Sequence, residues 1–277
     1  MPISRGGKLL RMARQPWGQN FLADRVWRER IIREALGRQA PGARDGVWVE
    51  IGAGHGEMTS LLASHAAKVI AIELDAKLLP GLRELASTLG NVTVVSGDVL
   101  ATDIGALAEG SPYRVLGNIP YYITSPIVHH LFAGSSMPEA AFLVMQLEVA
   151  ERLAARPGCR EYGYLSAFAQ FYAYIEILLK IPPGAFRPPP KVDSALIALR
   201  SPGEGRTLGV QDRTAFMEFL KMCFAQKRKT LKNNLRSVAP PSGIEPLLTE
   251  CEIRSDARAE QLGLAELARI FLRLRED

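Results

Sequence analysis

Val47-Trp-Val-Glu-Ile-Gly-Ala-Gly-His-Gly56 is an apolar run that ends in glycines at alternate positions. The run reads as a buried strand. The glycines read as a turn whose backbone bends sharply and comes close to a ligand with no Cβ in the way. A dinucleotide fingerprint wants its third glycine one place later, where this chain carries Glu57, so the spacing argues against a nicotinamide dehydrogenase. A tight turn with no ligand is the plainer alternative.

Around this motif, short apolar runs alternate with helical stretches, the pattern of parallel strands joined by crossover helices. Strands are expected at Val47–Ile51, Val69–Glu73, Val92–Val95, Arg114–Leu116, Ala141–Met145, Phe168–Leu178 and Ala195–Leu199. Helices are expected at Gly56–Ser64, Lys77–Leu89, Pro126–Ala133 and Glu148–Ala155. The fold class is therefore α/β. After Pro202 the pattern is helical throughout: Thr214–Leu235, Pro246–Cys251, Ala257–Gln261 and Leu264–Leu274. A boundary near Gly205 divides a sheet domain, 1–205, from a small helical domain, 206–277, with residues 1–18 as a basic N-terminal arm.

The chain has 277 residues, 47% of them apolar and 23% charged, which suits one full-sized globular domain with a smaller one appended. No stretch approaches the roughly 18 consecutive apolar residues of a membrane span. Residues 1–14 are basic and broken by Gly and Pro, unlike a secretory signal, so a cytoplasmic protein with no membrane partner is expected. Cys159, Cys223 and Cys251 lie far apart and away from the histidines, so neither disulfides nor a metal is expected. His55, His129 and His130 read as turn or helix residues.

The formal net charge is only +5, but the cations are unevenly placed. Arg5, Lys8, Arg11 and Arg14 share residues 1–20 with no acid; Lys221, Lys227, Arg228, Lys229, Lys232 and Arg236 share residues 221–236 with none. Both segments can neutralise nucleic-acid phosphates, or simply form a solvated tail and a solvated helix face.

In an open α/β sheet, ligands gather outside the carboxyl ends of the strands. Glu73 ends the second strand about 20 residues beyond the glycines, where a carboxylate can accept from both hydroxyls of a ribose. Asp75 is the weaker candidate for that place. Asp98 ends the third strand and can accept from the amino group of an adenine. Either acid alone more often caps a helix or stays solvated; together, in register with the glycines, they favour a nucleoside ligand.

The fourth strand runs into Gly117-Asn-Ile-Pro-Tyr-Tyr122, the segment best suited to chemistry. An exocyclic adenine amine is a poor nucleophile because its lone pair is delocalised into the ring. The Asn118 side-chain oxygen and a backbone carbonyl beside Pro120 can accept from its hydrogens, favour pyramidal nitrogen and stabilise the developing positive charge. Pro120 fixes the backbone angle and Tyr121 offers a flat face for the base. An ordinary turn after a strand is the alternative.

Seven ordered segments resemble one family. They are Gly18-Gln-Asn-Phe-Leu22, Glu50-Ile-Gly-Ala-Gly-His-Gly56, Ile72-Glu-Leu-Asp75, Gly97-Asp98, Asn118-Ile-Pro-Tyr121, Phe186-Arg-Pro-Pro-Pro-Lys-Val-Asp-Ser194 and Phe224-Ala-Gln-Lys-Arg-Lys-Thr-Leu231. The chain is similar over nearly its whole length to the small-subunit (16S) ribosomal RNA adenine N6-dimethyltransferases. The resemblance implies a Rossmann-like, seven-stranded class I methyltransferase domain followed by a small α-helical domain, with S-adenosylmethionine as methyl donor. It implies that Asn20 and Leu22 close over the cofactor, that Gly52 and Gly54 line its amino acid end, that Glu73 holds the ribose and Asp98 the adenine, and that Asn118 touches both cofactor and target. Phe186 would stack on the target adenine opposite Tyr121. Lys221, Lys227, Arg228, Lys229 and Lys232 would line a helix facing the RNA.

Two positions depart from the family pattern: Ile119 stands where leucine is usual, with little change in volume, and Leu147 stands where the family generally carries a lysine. The implied partner is the small ribosomal subunit, approached by a monomer, with a role in subunit biogenesis beside catalysis. Two alternatives stay open. One is a large-subunit rRNA adenine methyltransferase; those relatives usually lack the Pro-Pro-Pro-Lys-Val-Asp-Ser string and the Gln-Lys-Arg-Lys-Thr-Leu helix. The other is a non-catalytic RNA-binding assembly factor, against which the intact glycine loop, Glu73, Asp98 and Asn118 argue.

Overall fold

A computed structural model of the chain describes residues 20–37, 45–134, 136–237 and 241–275. The basic arm, with Arg5, Lys8, Arg11 and Arg14, lies outside the described residues. The strands are β1 (Phe21–Leu22), β2 (Val47–Ile51), β3 (Lys68–Glu73), β4 (Val92–Ser96), β5 (Tyr113–Asn118), β6 (Ala140–Gln146), β7 (Tyr174–Ile181), β8 (Phe186–Arg187) and β9 (Ser194–Arg200). Seven of them form one sheet in the order β4-β3-β2-β5-β6-β9-β7, and β1 pairs with β8 in a separate ribbon. The sheet is parallel from β4 to β6, while β9 runs antiparallel to both its neighbours.

The chain starts mid-sheet at β2, moves outward through β3 and β4, and returns to β5 on the other side of β2. That reversal opens a crevice at the carboxyl ends of β2 and β5, where Ile51 and Gly117 are register partners. Because side chains alternate along a strand, Trp48 faces one buried cluster and Val49 and Ile51 the other.

The helix Arg25–Leu36, for which no pattern was assigned above, starts at Asp24, whose carboxylate accepts from the amides of Val26 and Trp27. Two expectations need correction. The run Phe168–Leu178 is not one strand: helix Tyr164–Tyr172 ends at Tyr172, and β7 begins at Tyr174. The helix is buried on nearly every side, and its neighbour Tyr174-Ile-Glu-Ile is β-prone, so the two apolar runs merge in the sequence. The helix expected over Thr214–Leu235 is also broken, into Arg213–Cys223 and Leu231–Asn234. Thr230 caps the second piece, and the Asn234 side chain donates to the carbonyls of Cys223 and Gln226, holding the intervening loop.

The C-terminal helices share one buried cluster with the sheet. Phe216, Leu220 and Ile270 belong to the cluster that holds Ile197, Leu199 and Phe168, and the rings of Phe171 and Phe216 lie 5.3 Å apart across the junction.

Candidate active site

Gly52, Gly54 and Gly56 carry φ of +72°, +59° and +86°, which L side chains rarely adopt. A Cβ on Gly56 would stand 2.3 Å from a Leu85 methyl, and one on Gly54 3.3 Å from the Phe21 ring. Glu73 fixes this loop from beneath. Its side chain is buried, one carboxylate oxygen accepts from the Gly54 amide at 2.7 Å, and the other accepts from Asp75 N at 2.8 Å. A carboxylate has about four acceptor sites, so both oxygens keep capacity for a ligand's hydroxyls.

Two adjoining clefts meet at Gly52, Glu73 and Pro120. The first is lined further by Asn20, Phe21, Gly54, Asn118, Ile119 and Tyr121. The second is lined by Leu74, Asp75, Asp98, Val99 and Tyr122 among others. Along the pair, the order is glycine loop, Glu73, Asp98. That is the order an elongated ligand with an amino acid end, a ribose and an adenine requires, and a side chain at Gly52 would intrude where the clefts join. Asp98 also caps the turn Val99–Ala101 by accepting from Leu100 N at 2.9 Å.

Each residue from Asn118 to Tyr121 is pinned by a different neighbour. The Asn118 side-chain amide donates to the Asn20 carbonyl at 2.9 Å. Ile119 N donates to the Val144 carbonyl of β6 at 3.1 Å, and the Pro120 carbonyl accepts from Ile123 N at 3.2 Å. The Tyr121 hydroxyl lies 2.7 Å from the hydroxyl of Ser194. Partial burial pushes the Tyr121 phenol above its ordinary value, with the Ser194 bond acting the other way. The phenol therefore stays protonated at neutral pH.

Two residues expected to face ligands have buried side chains instead. The Phe186 ring is wholly buried, packed in the same cluster as Leu22, Ile31, Trp48 and Leu196, and cannot stack on a base from there. The reason is the β1–β8 ribbon, in which Phe186 is the register partner of Leu22 and both turn inward. Leu22 thus anchors the strap that covers the cleft, while Asn20 and Phe21 line it. Phe21, which the sequence offered only as part of a string, lies against Gly54 and edge-on to His55, with ring centroids 5.0 Å apart.

The basic residues do not share one helix face. Lys221 pairs with Glu218 at 2.6 Å, Lys232 pairs with Glu245, and Lys227 donates to the Arg160 carbonyl. Lys227, Arg228 and Lys229 are exposed on the loop between the two helices. Among the described residues, no group of three or more His, Cys, Asp or Glu is placed to hold a metal ion, and no helix is long and apolar enough to cross a membrane.

Glu50 carries a signal that sequence reasoning passed over. It is 3% exposed at the foot of the glycine loop, and one of its oxygens has no hydrogen-bond partner among the described residues. Burial pushes its carboxyl up to about 8; the Thr59 hydroxyl beside it acts in the opposite sense without a regular hydrogen bond, and the charges of Glu73 and Glu57 add to the rise. An acid within an otherwise apolar strand, two residues before Gly52, was the available clue.

Comparison with known proteins bears on the family and the fold. The profile of the family described as ribosomal RNA adenine dimethylase matches residues 11–276. A protein named ribosomal RNA small subunit methyltransferase A from Acidobacterium capsulatum is 46% identical over 261 residues, covering 94% of this chain and 90% of its own. A protein of the same name from Xanthomonas oryzae pv. oryzae is 42% identical over 260 residues, covering 93% and 95%. Among solved structures, a dimethyladenosine transferase from Plasmodium falciparum superposes with a TM-score of 0.78 at 24% identity, over 92% of this chain and 97% of that one, a likeness of fold. The 23S rRNA methyltransferase ErmE superposes with a TM-score of 0.69 at 29% identity, over 92% of this chain and 100% of that one. With its class I methyltransferase sheet and a family match that runs almost from end to end, this chain belongs to the ribosomal RNA adenine dimethylase family.

Proposed function

We propose that this chain is an S-adenosylmethionine-dependent methyltransferase that dimethylates the exocyclic amines of two adjacent adenosines in small-subunit (16S) rRNA, with a role in small-subunit biogenesis. The observation that carries the reading is the amide of Asn118. Its donor end is tied to Asn20, which leaves its oxygen as an acceptor on the wall of the first cleft.

When bound, the donor supplies an electrophilic methyl on a sulfonium. Gly52 and Gly54 would receive its amino acid end, Glu73 its ribose hydroxyls and Asp98 its adenine amino group, under a strap formed by Asn20 and Phe21 and anchored by Leu22. The target adenine lies on Tyr121. Asn118 Oδ1 accepts one amine hydrogen. A backbone carbonyl beside Pro120 would accept the other. Both acceptors would stabilise the positive charge that develops on the target amine, so positioning and electrostatics would supply most of the acceleration. Attack of an amine on a sulfonium methyl calls for no metal and no general base at its outset.

Lys227, Arg228 and Lys229, with Lys221 and Lys232 nearby, supply RNA phosphate contacts that position rather than specify. The reading takes residues 1–205 as the catalytic domain and 206–277 as the RNA-binding domain of a monomeric cytoplasmic enzyme. The deciding experiment is transfer of labelled methyl to undermethylated small ribosomal subunits, with large subunits and duplex DNA as parallel acceptors, followed by nucleoside analysis. Dimethyladenosine in small-subunit RNA alone is the expected result. Label in the large subunit, or none anywhere despite cofactor binding, overturns it.

A further inference from the structure

Ser194 closes the string Arg187-Pro-Pro-Pro-Lys-Val-Asp-Ser194 and opens β9. It is wholly buried, and it sits between two strands, as register partner of Gln146 on β6 and of Ile181 on β7. The residue before it is held as well: the Asp193 carbonyl accepts from Leu147 N at 3.0 Å, and its carboxylate pairs with Lys180 at 3.0 Å. The Ser194 hydroxyl is therefore a fixed point in the sheet, and it lies 2.7 Å from the Tyr121 hydroxyl.

Tyr121 needs such a point. Its backbone is the start of a single turn, Tyr121–Ile123, and its ring lies on the wall of the first cleft, half buried, where the side-chain torsions remain free to tilt the ring. The hydrogen bond at the far end of the ring removes that freedom. A ring fixed at both ends presents one plane to a base, and holding the acceptor nitrogen on its line of attack toward the methyl is where much of the rate of such a transfer resides.

We propose that Ser194 is a positioning residue for methyl transfer: its hydroxyl fixes the plane of the Tyr121 ring and so sets the angle at which the target base meets the donor. Ser194 touches neither substrate nor cofactor and acts through the Tyr121 phenol. The inference rests on the reading of Tyr121 as the platform for the base.

The test compares Ser194→Ala, Ser194→Thr, Tyr121→Phe, Tyr121→Ala and the double variant Ser194→Ala/Tyr121→Phe in full-length protein, on undermethylated small subunits. Ser194→Ala and Tyr121→Phe should each lower kcat on the order of tenfold, with KM for S-adenosylmethionine and thermal unfolding little changed. Ser194→Thr, which keeps the hydroxyl, should recover part of the loss. The double variant should be no worse than Tyr121→Phe alone, because the two hydroxyls form one interaction. Wild-type kcat in Ser194→Ala while Tyr121→Ala is inactive overturns the anchor and leaves the platform standing. Full multiplication of the two single losses in the double variant also overturns it. Full activity in Tyr121→Ala overturns the platform itself. If Ser194→Ala does not fold, the kcat of Tyr121→Phe still decides, since a wild-type value there removes the anchor.

Discussion

Asn118 donates its side-chain amide to the backbone carbonyl of Asn20, 98 residues earlier, at 2.9 Å. One bond joins the end of β5 to the strap that covers the cleft, and it also settles which end of the amide meets the ligand. Asn118→Ala should lower kcat by about 100-fold or more while leaving RNA affinity largely intact. Single-turnover transfer beside a filter-binding titration checks this, and normal turnover would sink the acceptor role.

Phe186 separates a packing role from a stacking one. Phe186→Ala should cost about 3–5 kcal/mol of stability, as loss of a buried aromatic does. Phe186→Leu, which keeps part of the apolar volume, should cost less than that and retain methyl transfer. Urea denaturation with an activity assay tests the pair; a fully stable but inactive Phe186→Leu protein would return the ring to the substrate.

Glu50 predicts a pH dependence of stability. Its carboxyl is held at about 8 in the folded chain against an ordinary 4.5, so the folded state binds this proton more tightly than the unfolded state does. The stabilisation is complete below the ordinary value and is lost as pH rises toward 8, at no more than about 1.4 kcal/mol per pH unit. Between pH 6 and pH 8 the wild type should therefore lose on the order of 2 kcal/mol more than Glu50→Gln, in which the proton is replaced by a neutral amide. Parallel urea titrations at the two pH values would refute this if both proteins lost stability equally.

The basic loop predicts a salt effect. Replacing Lys227, Arg228 and Lys229 together with alanine should weaken RNA binding and flatten the slope of log affinity against log salt by up to about 2, the value for three phosphate contacts on a single strand. Unchanged affinity from low to high salt would remove this loop from the interface.

Much of the site was legible because its residues stand at strand ends. Glu73 and Asn118 end β3 and β5, Gly52 and Asp98 lie just beyond β2 and β4, and the topology of an open sheet carries all four ends to one crevice. What escaped the sequence depends on pairing between distant segments. Ser194 reaches Tyr121 because β9 lies antiparallel beside β6, a register that no local pattern encodes. Phe186 was assigned to the cleft from its motif, but its two-residue pairing with β1 turns the ring inward. The loop at 224–230 was hidden inside a helical periodicity, because its break depends on the side chains of Thr230 and Asn234 bonding to backbone.

The ribbon that pairs residue 21 with residue 187 also bears on how this protein comes into being. The cover of the cleft is synthesised about 165 residues ahead of the strand it pairs with. A nascent chain therefore carries an open, incomplete cleft until that later strand has been made. Contacts of such long sequence separation form late and slowly, so the protein should acquire its ability to hold a methyl donor near the end of folding rather than at its start.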